Sequence, residues 1–246
     1  MNKRTAVVTG GIGGLGTAIC IALARAGRRV VAADLGGDPA RVDAFERQVE
    51  GLDVRFAALD VTDFEACGAL VRELEAAHGS LDVLVNAAGI TRDTTLRKME
   101  RAQWDAVLSV NLDSVFNLCR HAVDGMSARG FGRIVNISSV NGQTGQFGQT
   151  NYSAAKAGMH GFTMALAREV ARKGVTVNSV SPGYCETALV AAIPKEIRQG
   201  IVERVPVGRL GHPDEIARTV AFLGADEAGY ITGANIPVNG GLYMGF

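Results

Sequence analysis

The chain has 246 residues, 47% of them hydrophobic, with 25 Lys+Arg against 25 Asp+Glu and a formal net charge of zero. That suffices for one sizeable core in a single domain spanning 1–246, and with no block of like charge neither nucleic acid nor a membrane surface is expected as a partner. The four scattered cysteines, Cys20, Cys67, Cys119 and Cys185, show no CxxC and no metal-ligand spacing, so no metal site is expected, and no run nears the ~20 apolar residues of a membrane span, which predicts a cytoplasmic protein.

The first element is "RTAVVTG" (4–10), a short apolar, β-branched run that stops at glycine, as a buried strand does. A helical pattern follows from Leu15 to Ala26, with Ile19, Leu23 and Ala26 on one face and Gly27 as the stop. "RRVVAAD" (28–34) reads as a second strand ending in Asp34, followed by a helix over 39–50 and a strand over 53–60. The alternation continues with helix 63–77, strand 81–89, a long helix 101–125, strand 132–139, helix 151–172 and strand 174–183. After a looser stretch, 185–211, come helix 213–223 and a last strand, 234–238. About seven apolar strands alternating with helices predict an α/β fold, a single Rossmann-type, doubly wound parallel sheet with helices on both faces.

Between the first strand and helix lies "TGGIGGLG" (9–16). It fits GxGxxG at Gly11, Gly13 and Gly16, and a shifted register, TGxxxGxG, at Gly10, Gly14 and Gly16, with Ile12 and Leu15 in the same loop. Glycines here let the backbone approach a pyrophosphate, which sits on the free N–H groups of the helix start; the strand-loop-helix setting predicts dinucleotide binding. Asp34 at the end of the second strand suits the ribose hydroxyls and repels a 2′-phosphate, so NADH is favoured over NADPH, with Arg41 the one nearby cation that opposes this.

In a helix starting near Asn151, Tyr152 and Lys156 lie one turn apart on one face, and Ser139 ends the preceding strand at the carboxyl edge where open α/β sheets bind ligands. Small residues in "SAAKAG" leave room for a flat cofactor against the helix. These groups suit hydride transfer to a carbonyl: Tyr152 as general acid, Ser139 as a donor to the carbonyl oxygen, and Lys156 as a cation lowering the phenol's pKa from about 10.

The segments "TGGIGGLG", "LDV" (59–61), "NAAG" (86–89), Asn111, "NISS" (136–139), "YSAAK" (152–156) and "PGYCET" (182–187) together resemble the short-chain dehydrogenase/reductase family over essentially the whole chain. The resemblance selects Gly10, Gly14 and Gly16. It implies Asp60 and Val61 beside the adenine, Asn86 to Gly89 along the cofactor, and Lys156 on the nicotinamide ribose. It also implies Pro182, Gly183 and Thr187 near the nicotinamide, and Asn111 completing a catalytic tetrad by holding a water that links Lys156 to solvent.

Longer stretches, "GITRDTTLRKM", the run from "NISSVNGQTGQFGQTNYSAAKAG" to "SVSPGY" and the ending "NGGLYMG", are similar to the acetoacetyl-CoA reductase branch, which makes (R)-3-hydroxybutyryl-CoA for polyhydroxybutyrate. That likeness implies an acyl-CoA substrate and an acyl pocket of Gln146, Phe147, Gln149 and Tyr184 with Asp93 and Lys98 at its mouth; the looser stretch 185–211 is expected to be the lid, and the family resemblance implies a homotetramer packed through helices 101–125 and 151–172. Two alternatives stand beside it. A 3-oxoacyl-acyl-carrier-protein reductase would use Arg92, Arg97, Lys98, Arg129 and Arg133 as a docking patch; a non-catalytic nucleotide sensor on the same fold has little need of the serine, tyrosine and lysine together.

Overall fold

A computed structural model describes residues 3–187, 190 and 195–245. Seven strands form one sheet, parallel throughout, in the order β3-β2-β1-β4-β5-β6-β7. They are β1 (Thr5–Thr9), β2 (Arg29–Asp34), β3 (Val54–Ala58), β4 (Val83–Asn86), β5 (Gly132–Ile137), β6 (Val175–Pro182) and β7 (Asn235–Val238).

Successive side chains of a strand point to opposite faces, and the apolar strands use both. Val7, Val31, Ala33, Leu84, Ile134 and Val177 pack into one core layer with Leu74, Leu118, Met126 and Met159. Ala6, Val8, Val30, Ala32, Val85 and Ile137 pack into the other with Ile19, Leu23, Phe45, Ile216 and Leu223. The first layer is closed by α3 (Phe64–His78), α5 (Ser114–Arg129) and α7 (Thr150–Val170), the second by α1 (Gly14–Arg25), α2 (Pro39–Gln48) and α9 (Pro213–Leu223). Local chemistry sets the ends: Asp38 caps α2 ahead of Pro39, Asp63 accepts from Ala66 N at 2.9 Å to cap α3, and Glu215 reaches back to His212 N at 2.7 Å to start α9.

Three predicted elements differ. The helix expected over 101–125 is α4 (Arg101–Leu108), a π-helical turn over Ser109–Asp113, and α5 running on to Arg129. The looser stretch contains α8 (Lys195–Arg204), whose buried residue is Ile201; residues 188, 189 and 191–194 of the expected lid lie outside the described residues. Ala26 is the exposed C-cap of α1 rather than a core residue, because the chain turns there into Gly27 at φ +83°. A short helix, α6 (Asn141–Thr144), sits between β5 and α7.

The strand order reverses between β1 and β4, and such a switch point opens a crevice at the carboxyl ends of the strands. Thr9, Asp34, Asn86, Ile137 and Pro182 mark that edge. Among the described residues no helix is long and apolar enough to cross a membrane.

Candidate active site

A groove of about 770 Å³ runs along this edge, lined by Gly10, Ile12, Gly14, Leu15, Gly16, Asp34, Asp60, Val61 and Gly89 among others. Its floor is the loop into α1. Gly10 has φ +65°, and a Cβ there would stand 2.9 Å from Ala88 Cα; a Cβ on Gly16 would fall on the Gly10 carbonyl oxygen. Gly13 caps α1 with no side-chain bond and no acidic residue follows in the first turn, so the N–H groups of Gly14, Leu15 and Gly16 are left for an anion. Thr9 Oγ1 accepts from Ala87 N (3.0 Å) and Ala88 N (3.1 Å), which ties the opposite wall to β1. The cradle fits the pyrophosphate of a dinucleotide. At the far end the Asp34 carboxylate is steadied by Leu35 N at 2.8 Å and Ile12 N at 3.3 Å, with Arg41 on the same groove.

Through Leu15, Ala87, Gly89, Ile90 and Thr187 the groove joins a cavity of about 360 Å³ that Ser139, Tyr152 and Lys156 line together with Asp93, Gln149, Pro182, Gly183 and Tyr184. Ser139 follows β5, and its Oγ accepts from Asn141 N at 3.1 Å, leaving the hydroxyl proton to donate. Tyr152 lies in the first turn of α7. Lys156, one turn on, is 3% exposed, donates from Nζ to Ile137 O at 2.7 Å and stands 5.7 Å from the centre of the Tyr152 ring. Ser138 Oγ donates to Lys156 O at 2.8 Å, pinning α7 to the end of β5.

Burial dominates the electrostatics. It lowers the Lys156 ammonium from 10.5 to about 8, since the charged form loses water. It also raises the Tyr152 phenol above 10; the Ser139 hydroxyl opposes this, and Asp93 and Tyr184 add to it. The expectation that Lys156 brings the phenol's pKa down is therefore corrected in its outcome: desolvation of the phenol prevails, and its pKa stays above the ordinary value.

Asn111 is fully buried in the π-helical turn, a distortion frequent at functional sites. Its side chain accepts from Ile90 N (2.8 Å) and donates to Ile90 O (2.9 Å), so it holds the loop after β4. Gly89 fits between it and the lysine: a Cβ there would lie 3.3 Å from Asn111 Oδ1 and 3.6 Å from Lys156 Nζ.

Not every expected residue joins the site. Asn86 points into the protein, donating to Asn136 Oδ1 at 2.8 Å, and does not line the groove. Phe147 is 87% exposed, and neither it nor Gln146 nor Lys98 lines the cavity, because the loop carrying the first two faces outward. Of the cations considered for a docking patch, Arg133 is buried at the start of β5 and Arg129 bonds Glu75 and Leu81 O; both belong to the amino edge of the sheet, opposite the cavity. Sequence reasoning missed Asn141, Ser138 and Thr9; the trace of the first two is the polar run "SSVNGQ" straight after an apolar strand. Among the described residues no group of three or more His, Cys, Asp or Glu is placed to hold a metal ion.

Comparison with known proteins fits this geometry. Residues 10–243 match the family described as enoyl-(acyl carrier protein) reductase, a short-chain dehydrogenase/reductase family. The chain is 57% identical to the acetoacetyl-CoA reductase of Allochromatium vinosum over 98% of this chain and 99% of that one. It is 54% identical to the acetoacetyl-CoA reductase of Cupriavidus necator over 100% of both. To the 3-oxoacyl-[acyl-carrier-protein] reductase of Pseudomonas aeruginosa it is 42% identical over 99% of both. A seven-stranded parallel sheet, a glycine-built nucleotide groove and a cavity shared by serine, tyrosine and lysine thus go with full-length similarity, and the chain belongs to the short-chain dehydrogenase/reductase family.

Proposed function

We propose that this chain is an acetoacetyl-CoA reductase that forms (R)-3-hydroxybutyryl-CoA, the precursor of polyhydroxybutyrate, with NADH preferred over NADPH. The observation that carries the reading is the convergence of Ser139, Tyr152 and Lys156 on one cavity that opens into the glycine groove. The similarity to two proteins named for this reaction, 57% and 54% identical, supports it.

The nicotinamide cofactor, held by the α1 N-terminus, Asp34, Asp60, Val61 and Lys156, would supply a hydride to the keto carbon. As negative charge gathers on the keto oxygen, Ser139 donates a hydrogen bond to it and Tyr152 donates its proton. A phenol whose pKa is raised is fully protonated near neutrality, the form that reduction needs. Lys156, at about 8, is the stronger acid of the pair, so returning a proton from its ammonium toward the spent phenolate runs downhill.

Asp34 supports the preference for NADH. A carboxylate fixed by two backbone amides accepts from ribose hydroxyls and repels a phosphate, while Arg41 moderates rather than cancels that repulsion. Tyr184 lines the cavity where the 185–211 stretch begins. The chain's return there, Gly211 N to Tyr184 O at 2.9 Å and Glu186 N to Gly211 O at 2.8 Å, ties the two ends of that stretch together, as suits a lid on the cavity. The exposed Phe116 on α5 and Met164 on α7 support assembly as a homotetramer through those helices.

Initial rates with acetoacetyl-CoA against each cofactor test the reading. Efficient turnover, faster with NADH, is the expected result. A strong preference for an acetoacetyl-acyl-carrier protein over the CoA ester would move the assignment to the carrier-protein reductase; Arg92, exposed between the cavity-lining Thr91 and Asp93, and Arg97, exposed on the helical turn that follows, keep basic groups on that side.

A further inference from the structure

Asn141 lines the cavity and is almost wholly buried, yet no part of the hydride-transfer scheme uses its side chain. It donates from Nδ2 to Gln149 Oε1 at 2.9 Å, and Gln149 Nε2 donates in turn to Asp93 Oδ2 at 2.7 Å. The three residues come from the loop after β4, the start of α6 and the residue before α7, so the chain of bonds spans the cavity mouth.

Its direction is forced. An ionised carboxylate only accepts, so Gln149 must present its NH₂ to Asp93 and its carbonyl to Asn141, which must then present its own NH₂. One Gln149 N–H is spent on Asp93; the second has no partner among the described residues and belongs to a side chain lining the cavity. The deep groups of the cavity, the Ser139 and Tyr152 hydroxyls, are donors as well. A 3-ketoacyl thioester presents two carbonyl oxygens and no donor, which is the complement.

We infer that Asn141 is a positioning residue: with Asp93 it locks the Gln149 carboxamide so that its free N–H meets the thioester carbonyl while Ser139 and Tyr152 take the keto oxygen. This rests on the 3-ketoacyl thioester reading and names the group that fixes its register. The thioester oxygen does not react, so this bond is felt equally in ground and transition states and shows in KM rather than kcat. A locked amide also disfavours the flipped thioester, whose carbonyl would turn away and leave the Gln149 N–H unpaired.

The test is Asn141→Asp, which keeps the shape and turns the donor facing Gln149 Oε1 into an acceptor. The expected result is a KM for acetoacetyl-CoA raised about tenfold, the worth of one hydrogen bond with its partner left unpaired, at nearly unchanged kcat and cofactor affinity. The thioether analogue, in which CH₂ replaces the thioester carbonyl, should show little change between variant and wild type. In a Gln149→Ala background the Asn141→Asp penalty should vanish, because nothing remains to orient; a merely structural effect would persist there. Equal penalties on ester and thioether, or additive penalties in the double variant, overturn the inference. Should the wild type reduce only the carrier-bound thioester, the acetoacetyl-CoA assignment falls, and the same ester and thioether pair on the carrier decides the role of Asn141.

Discussion

Lys156 carries the largest electrostatic cost at the site. Its pKa is 10.5 when unfolded and about 8 when folded, so between those values the unfolded chain binds more protons and stability rises with pH; below about 8 the cost is fully present. For a side chain 3% exposed it is on the order of 3 kcal/mol, offset in part by the bond to Ile137 O. Lys156→Met is therefore expected to raise unfolding stability at pH 7 by roughly 1–2 kcal/mol while stopping turnover, and the gain should shrink as pH climbs from 8 to 10.5. Denaturant unfolding of both proteins across that range checks it; a methionine variant less stable at pH 7 would refute the account of burial. The Tyr152 to Lys156 spacing was legible from sequence, but the sign of the phenol's shift was not, because it depends on how much protein surrounds both groups and spacing carries no measure of that.

At the scale of elements, the turn into α1 is built on close backbone approach. A methyl on Gly16 would strike the Gly10 carbonyl, a backbone atom that moves only if the loop moves. Gly16→Ala is expected to leave the sheet folded and to weaken nicotinamide nucleotide binding by about a hundredfold or more by titration, since the N–H cradle is displaced. Unchanged affinity would show that the cradle is not needed. That loop and every strand could be read from the sequence, because a buried parallel strand is continuously apolar and clustered glycines between a strand and a helix mark a backbone that must turn tightly and stay bare. The break of the 101–125 helix could not: the π-helical turn at Ser109–Asp113 contains neither proline nor glycine and exists to seat Asn111 against Ile90, a contact twenty-one residues away. The Asn141 to Gln149 bond was hidden in the same way, since it depends on where α6 folds back.

Across the whole molecule the sheet divides its labour. The carboxyl edge holds the groove and cavity, while the amino edge is a clamp in which Arg133, 4% exposed, donates to the carbonyls of Gly132, Gly174, Ala225 and Asp226 and, like Arg4, places its guanidinium over the Phe131 ring. In the sequence Arg133 passes for a surface cation; its burial follows from the strand order that brings β5, β6 and the turn after α9 together. Arg133→Met would leave those carbonyls unpaired, with an expected loss of about 2–4 kcal/mol in stability and kcat within about twofold at a temperature where the variant stays folded. A large fall in kcat without loss of stability would mean that the two edges are coupled. The division rests finally on what happens at one phenol. The most direct measurement is turnover of acetoacetyl-CoA by Tyr152→Phe, beside its affinity for the nicotinamide nucleotide: the predicted result is a loss of turnover of about a thousandfold or more with nucleotide affinity nearly unchanged. A variant that reduces the ketone at close to the wild-type rate would contradict the account.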